Sequence, residues 1–120
     1  MNLYLTEAER RVAEMVWQKQ ALPSGELVSR CAQEMGWKRS TTYTILKRLE
    51  NKGVLENQDS LVIPRISQEE FDSIQGCQFI DESFGGSLPN FLTAFTRKRK
   101  LSSAEIQKLQ LLIQEFEEKP

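Results

Sequence analysis

The residues best placed to do chemistry in this chain lie between Lys38 and Gly53, in the stretch KRSTTYTILKRLENKG, and the chemistry they offer is hydrogen bonding and charge pairing. Wound at about 100° per residue, Ile45, Leu46 and Leu49 gather on one side with Thr42, the spacing of a helix that faces a core. The opposite side carries Ser40, Thr44, Lys47 and Asn51, flanked by Tyr43 and Arg48, with Lys38 and Arg39 leading in. Short hydroxyls, an amide, a phenol and cations are the groups that reach phosphates and the edges of bases. On a lone helix the same face would be ordinary solvated surface. Its neighbours change that reading.

Upstream, SGELVSRCAQEMG reads as another helix, with Ser24 as candidate N-cap, Leu27, Val28, Cys31, Ala32 and Met35 as its buried stripe, and Gly36 closing it. A helix, a short turn with glycine and a second helix with a polar outer face make a helix-turn-helix. Trp37 in the turn is assigned to the core edge, and Lys38 and Arg39 to phosphate contact near the start of the recognition helix. Downstream, Gly53 stops the helix, and Val54 to Gln58 and Leu61 to Ile66 read as two short strands, which makes the unit a winged helix. The tip, Gln58, Asp59 and Ser60, is short and acidic, so little DNA contact is expected from the wing beyond Arg65 at its base. Leu61, Val62 and Ile63 suggest a second strand that is buried on both faces or is mostly structural, and Pro64 confines its end to an edge.

The elements that must support this face begin at Thr6-x-x-Glu9, a capping box that opens a helix with Ala8, Val12, Met15 and Val16 inward and Trp17 at the edge of that face. Leu22 and Pro23 are read as the connection into the second helix. After the wing, Ser67-x-x-Glu70 opens a helix marked by Phe71, Ile74, Cys77, Ile80 and Phe84, and Gly85-Gly86 ends it. Ser87 caps a shorter helix with Pro89 in its first turn and Leu88, Phe91, Leu92 and Phe95 as its stripe. A third box, Ser102-x-x-Glu105, with Leu101 and Ile106 as a hydrophobic staple, starts a last helix marked by Ile106, Leu109, Leu112, Ile113 and Phe116. Three amphipathic helices carry more apolar surface than so short a bundle hides, so Phe84 and these two stripes are assigned to dimerisation with a second copy, the alternative being a self-contained helical subdomain packed back on the reading head. The run Arg97 to Lys100 is assigned to solvent and to the C-terminal dipole of its helix.

The fold class expected is therefore mainly α: a winged helix-turn-helix of three helices and a two-stranded wing over residues 1–66, followed by a three-helix dimerisation region over 67–120. With 39% hydrophobic and 28% charged residues in a chain of 120, the balance is that of a folded globular protein. Net charge is −1, but residues 1–65 hold ten Lys/Arg and eight Asp/Glu, and residues 66–120 hold six and nine. A weakly basic front and an acidic rear suit a DNA-binding head with a self-association region. There is no histidine, Cys31 and Cys77 are far apart and read as packed free thiols, and no carboxylate pair or phosphate loop stands out; no enzyme, metal or cofactor is expected. No stretch is apolar enough for a membrane span and no leader is evident, so the reading is cytoplasmic.

Leu5-Thr6-x-Ala8-Glu9 with Val16-Trp17, then Thr41-x-Tyr43-Thr44-x-Leu46-x-Arg48-Leu49 with Lys52-Gly53, and Phe84-Gly85-Gly86-Ser87-Leu88, together resemble the penicillinase and methicillin-resistance repressors, the BlaI/MecI/CopY type. The resemblance implies a homodimeric winged-helix repressor whose C-terminal helices interlock and which binds palindromic double-stranded operators. It places DNA contacts on Ser40, Thr41, Tyr43, Thr44 and Arg48. The wing lacks the family's usual basic residues, and the cysteine-rich tail of its copper-responsive members is absent. In the resistance repressors a protease cuts an Asn-Phe bond; aligned from Gly85-Gly86, that position reads Ala94-Phe95, with Asn90-Phe91 nearby out of register. A regulatory protease or sensor therefore stays an open partner. The rival expectation, suggested by the near-neutral charge and acidic wing, is a winged-helix protein-interaction module.

Overall fold

Among residues 2–118, which the computed structural model describes, the elements run α1 (Glu7–Lys19), β1 (Leu22–Pro23), α2 (Ser24–Met35), α3 (Arg39–Asn51), β2 (Leu55–Gln58), β3 (Leu61–Pro64), α4 (Gln68–Phe84), α5 (Leu88–Lys98) and α6 (Ser103–Glu118). The chain divides into two compact units within α4, between Gln78 and Phe79, so the first turns of that helix group with the winged helix.

In the first unit, α1 starts on a complete capping box: Glu9 N–H donates to the Thr6 hydroxyl at 3.1 Å, and Thr6 N–H donates to the Glu9 carboxylate at 2.8 Å. Val12, Ala13 and Val16 from α1, Leu27 and Cys31 from α2, Leu46 and Leu49 from α3, and Val54, Leu55, Val62 and Phe71 beyond them are buried together. Trp17 lies inside this core rather than at its edge. Its ring packs 5.2 Å from Phe71, and its indole N–H donates to the Ile66 carbonyl at 3.0 Å, which satisfies the one polar atom that burial would orphan.

The wing has three strands, in the order β1-β3-β2, all antiparallel. Leu22 pairs with Val62 and Pro23 with Leu61, so the segment expected as a connector is a strand. Asp59 and Ser60 turn the β2–β3 hairpin with φ of 49° and 69°, the left-handed pair that suits a two-residue hairpin and that Asp tolerates well. Within β3 only Val62 is buried and Leu61 is 41% exposed, so the strand follows a half-buried pattern rather than one buried on both faces.

Three expectations for the helices are corrected. Ser24 does not cap α2: Pro23 holds the cap position, and the Ser24 side chain is buried. Ala32 is exposed, on the rim of a stripe that Leu27 and Cys31 fill. Cys77 is exposed too, because Gln78, seven residues on from Phe71, takes the inward position. The Gln78 side-chain amide both donates to the Leu3 carbonyl and accepts from the Leu3 N–H, and Gln75 donates to the same carbonyl. Two glutamines thus fasten the N-terminal segment to α4.

In the second unit, Gly85 and Gly86 (φ 59° and 80°) end α4, Ser87 caps α5 by accepting from Asn90 N–H at 3.1 Å, and Ser102 and Glu105 close a full box at α6. Phe79, Phe84, Phe91 and Phe95 form a run of tilted and edge-to-face ring contacts, the closest being Phe84 to Phe91 at 5.4 Å. No residue described in this unit is buried.

Candidate nucleic-acid interface

α3 has two faces with different fates. Thr42, Ile45, Leu46 and Leu49 are buried, as their spacing requires. Lys38, Arg39, Ser40, Thr41, Thr44, Lys47 and Arg48 are all exposed, and Asn51 extends the same surface. No carboxylate interrupts them; Glu50, half-buried, is turned to the wing, where its carboxylate accepts the Asn57 N–H at 3.4 Å. The result is a helix face of cations and hydroxyls held against a rigid core, the arrangement suited to phosphate and base-edge contacts.

Tyr43 stands apart from the other sequence-derived site residues, because it is half-buried and engaged. Its hydroxyl donates to the Ser24 hydroxyl at 3.3 Å and accepts from the Arg39 guanidinium at 3.3 Å, and the guanidinium lies over its ring at 5.2 Å. Thr44 donates to the Ser40 carbonyl at 2.9 Å, a bond back along its own helix that leaves only acceptor capacity for anything outside. α3 begins without a side-chain cap at Lys38, and the Thr41 N–H of its first turn donates to the Lys38 carbonyl at 3.0 Å.

The C-terminal end of α3 is anchored by a contact not anticipated from sequence. Lys52, at the C-cap, donates to the Glu9 carboxylate and to the Tyr4 carbonyl, each at 2.7 Å. Glu9 is 1% exposed. Burial works against its charge, but the bonds from Lys52 and Thr6 outweigh that cost and hold its carboxyl below the usual range. A signal was present in the sequence: Glu9 stands three, four and seven residues before Val12, Ala13 and Val16, on the apolar face itself, where a carboxylate requires a cation. Deeper in, burial pushes the Cys31 thiol pKa up, so the sulfur is held protonated as core packing.

The wing reaches the same front. Asp59 and Ser60 are exposed at its tip, and the Ser60 carbonyl accepts the Ser24 N–H at 2.8 Å, while Arg65 is exposed at its base. Among the described residues no group of three or more His, Cys, Asp or Glu is placed to hold a metal ion, and no helix is long and apolar enough to cross a membrane.

The residues assigned to dimerisation divide by depth. Phe84, Phe91, Leu92, Phe95 and Leu109 are half-buried, whereas Leu88, Ile106, Leu112, Ile113 and Phe116 are 42–65% exposed. Between α5 and α6 runs an apolar groove of about 320 Å³, floored by Phe91, Phe95, Leu101 and Leu109 and rimmed by Glu105 and Lys108.

Comparison with known proteins places these features in a family. Residues 5–115 match the profile of the penicillinase repressor family. The penicillinase repressor of Bacillus licheniformis is 24% identical over 115 residues, covering 92% of this chain and 90% of that one. The methicillin resistance regulatory protein MecI of Staphylococcus aureus (strain N315) is 23% identical over 113 residues, covering 91% and 92%. Among solved structures, the reduced form of MarR from E. coli aligns over 95% of this chain and 75% of that one, at 17% identity and a TM-score of 0.46.

Proposed function

The chain belongs to the penicillinase repressor family, and on that premise we propose that it is a cytoplasmic transcriptional repressor that binds a palindromic double-stranded DNA operator as a homodimer. The observation that carries this reading is the outer face of α3, where Lys38, Arg39, Lys47 and Arg48 stand open beside Ser40, Thr41 and Thr44 with no carboxylate of the helix among them. Set into a major groove, the cations meet phosphates or a guanine edge, and the hydroxyls fix register on the backbone. The exposed stripes of α5 and α6 supply the reason for a second copy, since apolar surface of this extent in so small a unit is stabilised by being covered. A two-fold axis then presents two α3 helices to two half-sites.

The acidic wing tip and a net charge of −1 favour a second reading, in which the same face docks a protein. Selection from a random duplex library at physiological salt, with sequencing of the bound fraction, separates the two. The repressor reading expects a palindrome with half-sites about one helical turn apart, and binding that weakens with a log-log salt slope of about −0.9 per phosphate neutralised. Absence of any enriched site, from protein shown by sedimentation to be folded and dimeric, would leave the docking module.

A further inference from the structure

A continuous chain of polar contacts joins the wing, α2 and α3 at the front of the first unit. The Ser60 carbonyl at the wing tip accepts from Ser24 N–H, the Ser24 hydroxyl accepts from the Tyr43 hydroxyl, and the Tyr43 hydroxyl accepts from Arg39. Ser24 is 4% exposed, and the pairing of Leu22 and Pro23 with β3 holds it in place from the preceding residues. Arg39, the first residue of α3, is itself exposed, yet its guanidinium is fixed twice, by the hydroxyl and by the face of the Tyr43 ring. Among the described residues, Lys38, Lys47 and Arg48 show no comparable contact.

A fixed guanidinium plane can pair bidentately with a phosphate, but a phosphate is held equally by a mobile lysine acting as a point charge. It is of direct use for a bidentate pair with O6 and N7 of guanine, whose two acceptors lie in one plane and reward a fork already oriented. The N-terminal residues of a recognition helix are also those that approach base edges. The contact to Tyr43 leaves the other N–H donors of the fork available. We infer that Arg39 reads a guanine in each half-site, and that Tyr43 and Ser24 are positioning residues that orient its guanidinium. The inference rests on the DNA-binding reading above and deepens it, moving Arg39 from backbone contact to base specificity and Tyr43 from contact to support.

The test uses the full chain and four variants, Arg39→Ala, Arg39→Lys, Tyr43→Phe and Ser24→Ala, each checked for an unchanged thermal transition. The wild-type site is taken from random-library selection, and affinities are measured for it and all its single-base variants at several salt concentrations. Arg39→Ala is expected to lose about tenfold or more of the preference for guanine at one position per half-site, with the rest of the motif and the salt slope retained. Arg39→Lys should lose it too, because the fork is gone. Tyr43→Phe keeps the ring and Ser24→Ala keeps the packing, so each should relax the same position about three- to fivefold and no other.

Uniform weakening across all sequences by Arg39→Ala, with the salt slope reduced by about one phosphate's share, makes Arg39 a backbone contact and overturns the inference. Relaxation by Arg39→Ala that neither Tyr43→Phe nor Ser24→Ala reproduces overturns the positioning roles. Recovery of no site by the wild type overturns the repressor reading, and the inference with it.

Discussion

Glu9 and Glu105 stand at the same place in the same motif, three residues after a hydroxyl that caps a helix, and each carboxylate returns a bond to the backbone N–H of its capping residue. Glu9 is closed over by the core and by Lys52, whereas Glu105 lies on open surface, its carboxyl held below the usual range mainly by the backbone N–H of Ser102. The stripes that follow diverge in the same way. Val12, Ala13 and Val16 are fully buried, while Ile106, Leu112 and Ile113 are 42–55% exposed. Periodicity and caps determine that a helix forms and which side is apolar; burial depends on what stands opposite, and within the second unit the other described helices do not bury that stripe.

The contrast is broken most severely from the buried side. Leu49, at 0% exposure, links α3 to the core, and Leu49→Ala should lower the stability of the first unit by about 2–5 kcal/mol, read by urea unfolding followed through tryptophan fluorescence. Next comes Glu9→Gln, which leaves Lys52 without its carboxylate; because Lys52 is 36% exposed and can be solvated, about 2 kcal/mol is expected. The folded-state pKa of Glu9 lies below its unfolded value, so its contribution is present above the ordinary carboxyl range and is lost as pH falls through the folded value. Acid unfolding of the wild type should accordingly be steeper than that of Glu9→Gln, and parallel acid limbs would remove Glu9 from the account.

From the open side the effects on the first unit are small. Leu112→Asp should change its unfolding by less than about 0.5 kcal/mol, yet convert a sedimenting dimer to monomer; a dimer that persists would place the self-association surface elsewhere. Ser102→Ala should cost the least, a loss of helical ellipticity at 222 nm confined to α6 with the unfolding midpoint of the winged helix unmoved.

What was legible in the sequence was local. The two faces of α3, the hydroxyl caps at Thr6, Ser67, Ser87 and Ser102, and the stop at Gly85-Gly86 each follow from residues within a few positions of one another. At Ser67 only the hydroxyl half of the expected box is formed, the Glu70 N–H donating at 3.0 Å. The features not foreseen are joined across long stretches: Lys52 to Glu9 over 43 positions, Gln78 to Leu3 over 75, Tyr43 to Ser24 over 19. A polar residue in such a pair shows by itself only that it is polar. Leu22 and Pro23 resemble a connector in sequence for the same reason, since two residues hold no alternation and their partner lies on β3.

That short strand, with the bond from Asn57 to Glu50, also governs what the sheet refuses. A three-stranded sheet exposes two margins where a strand from another molecule could be added. On one margin β1 has only two residues, and Pro23 has no N–H to donate. On the other, β2 is four residues long, and the Asn57 amide is taken by the Glu50 carboxylate of its own recognition helix. Both margins are thus poor templates for a further strand, so the sheet edges of the first unit are guarded against strand-by-strand polymerisation whatever covers the apolar stripes of α5 and α6.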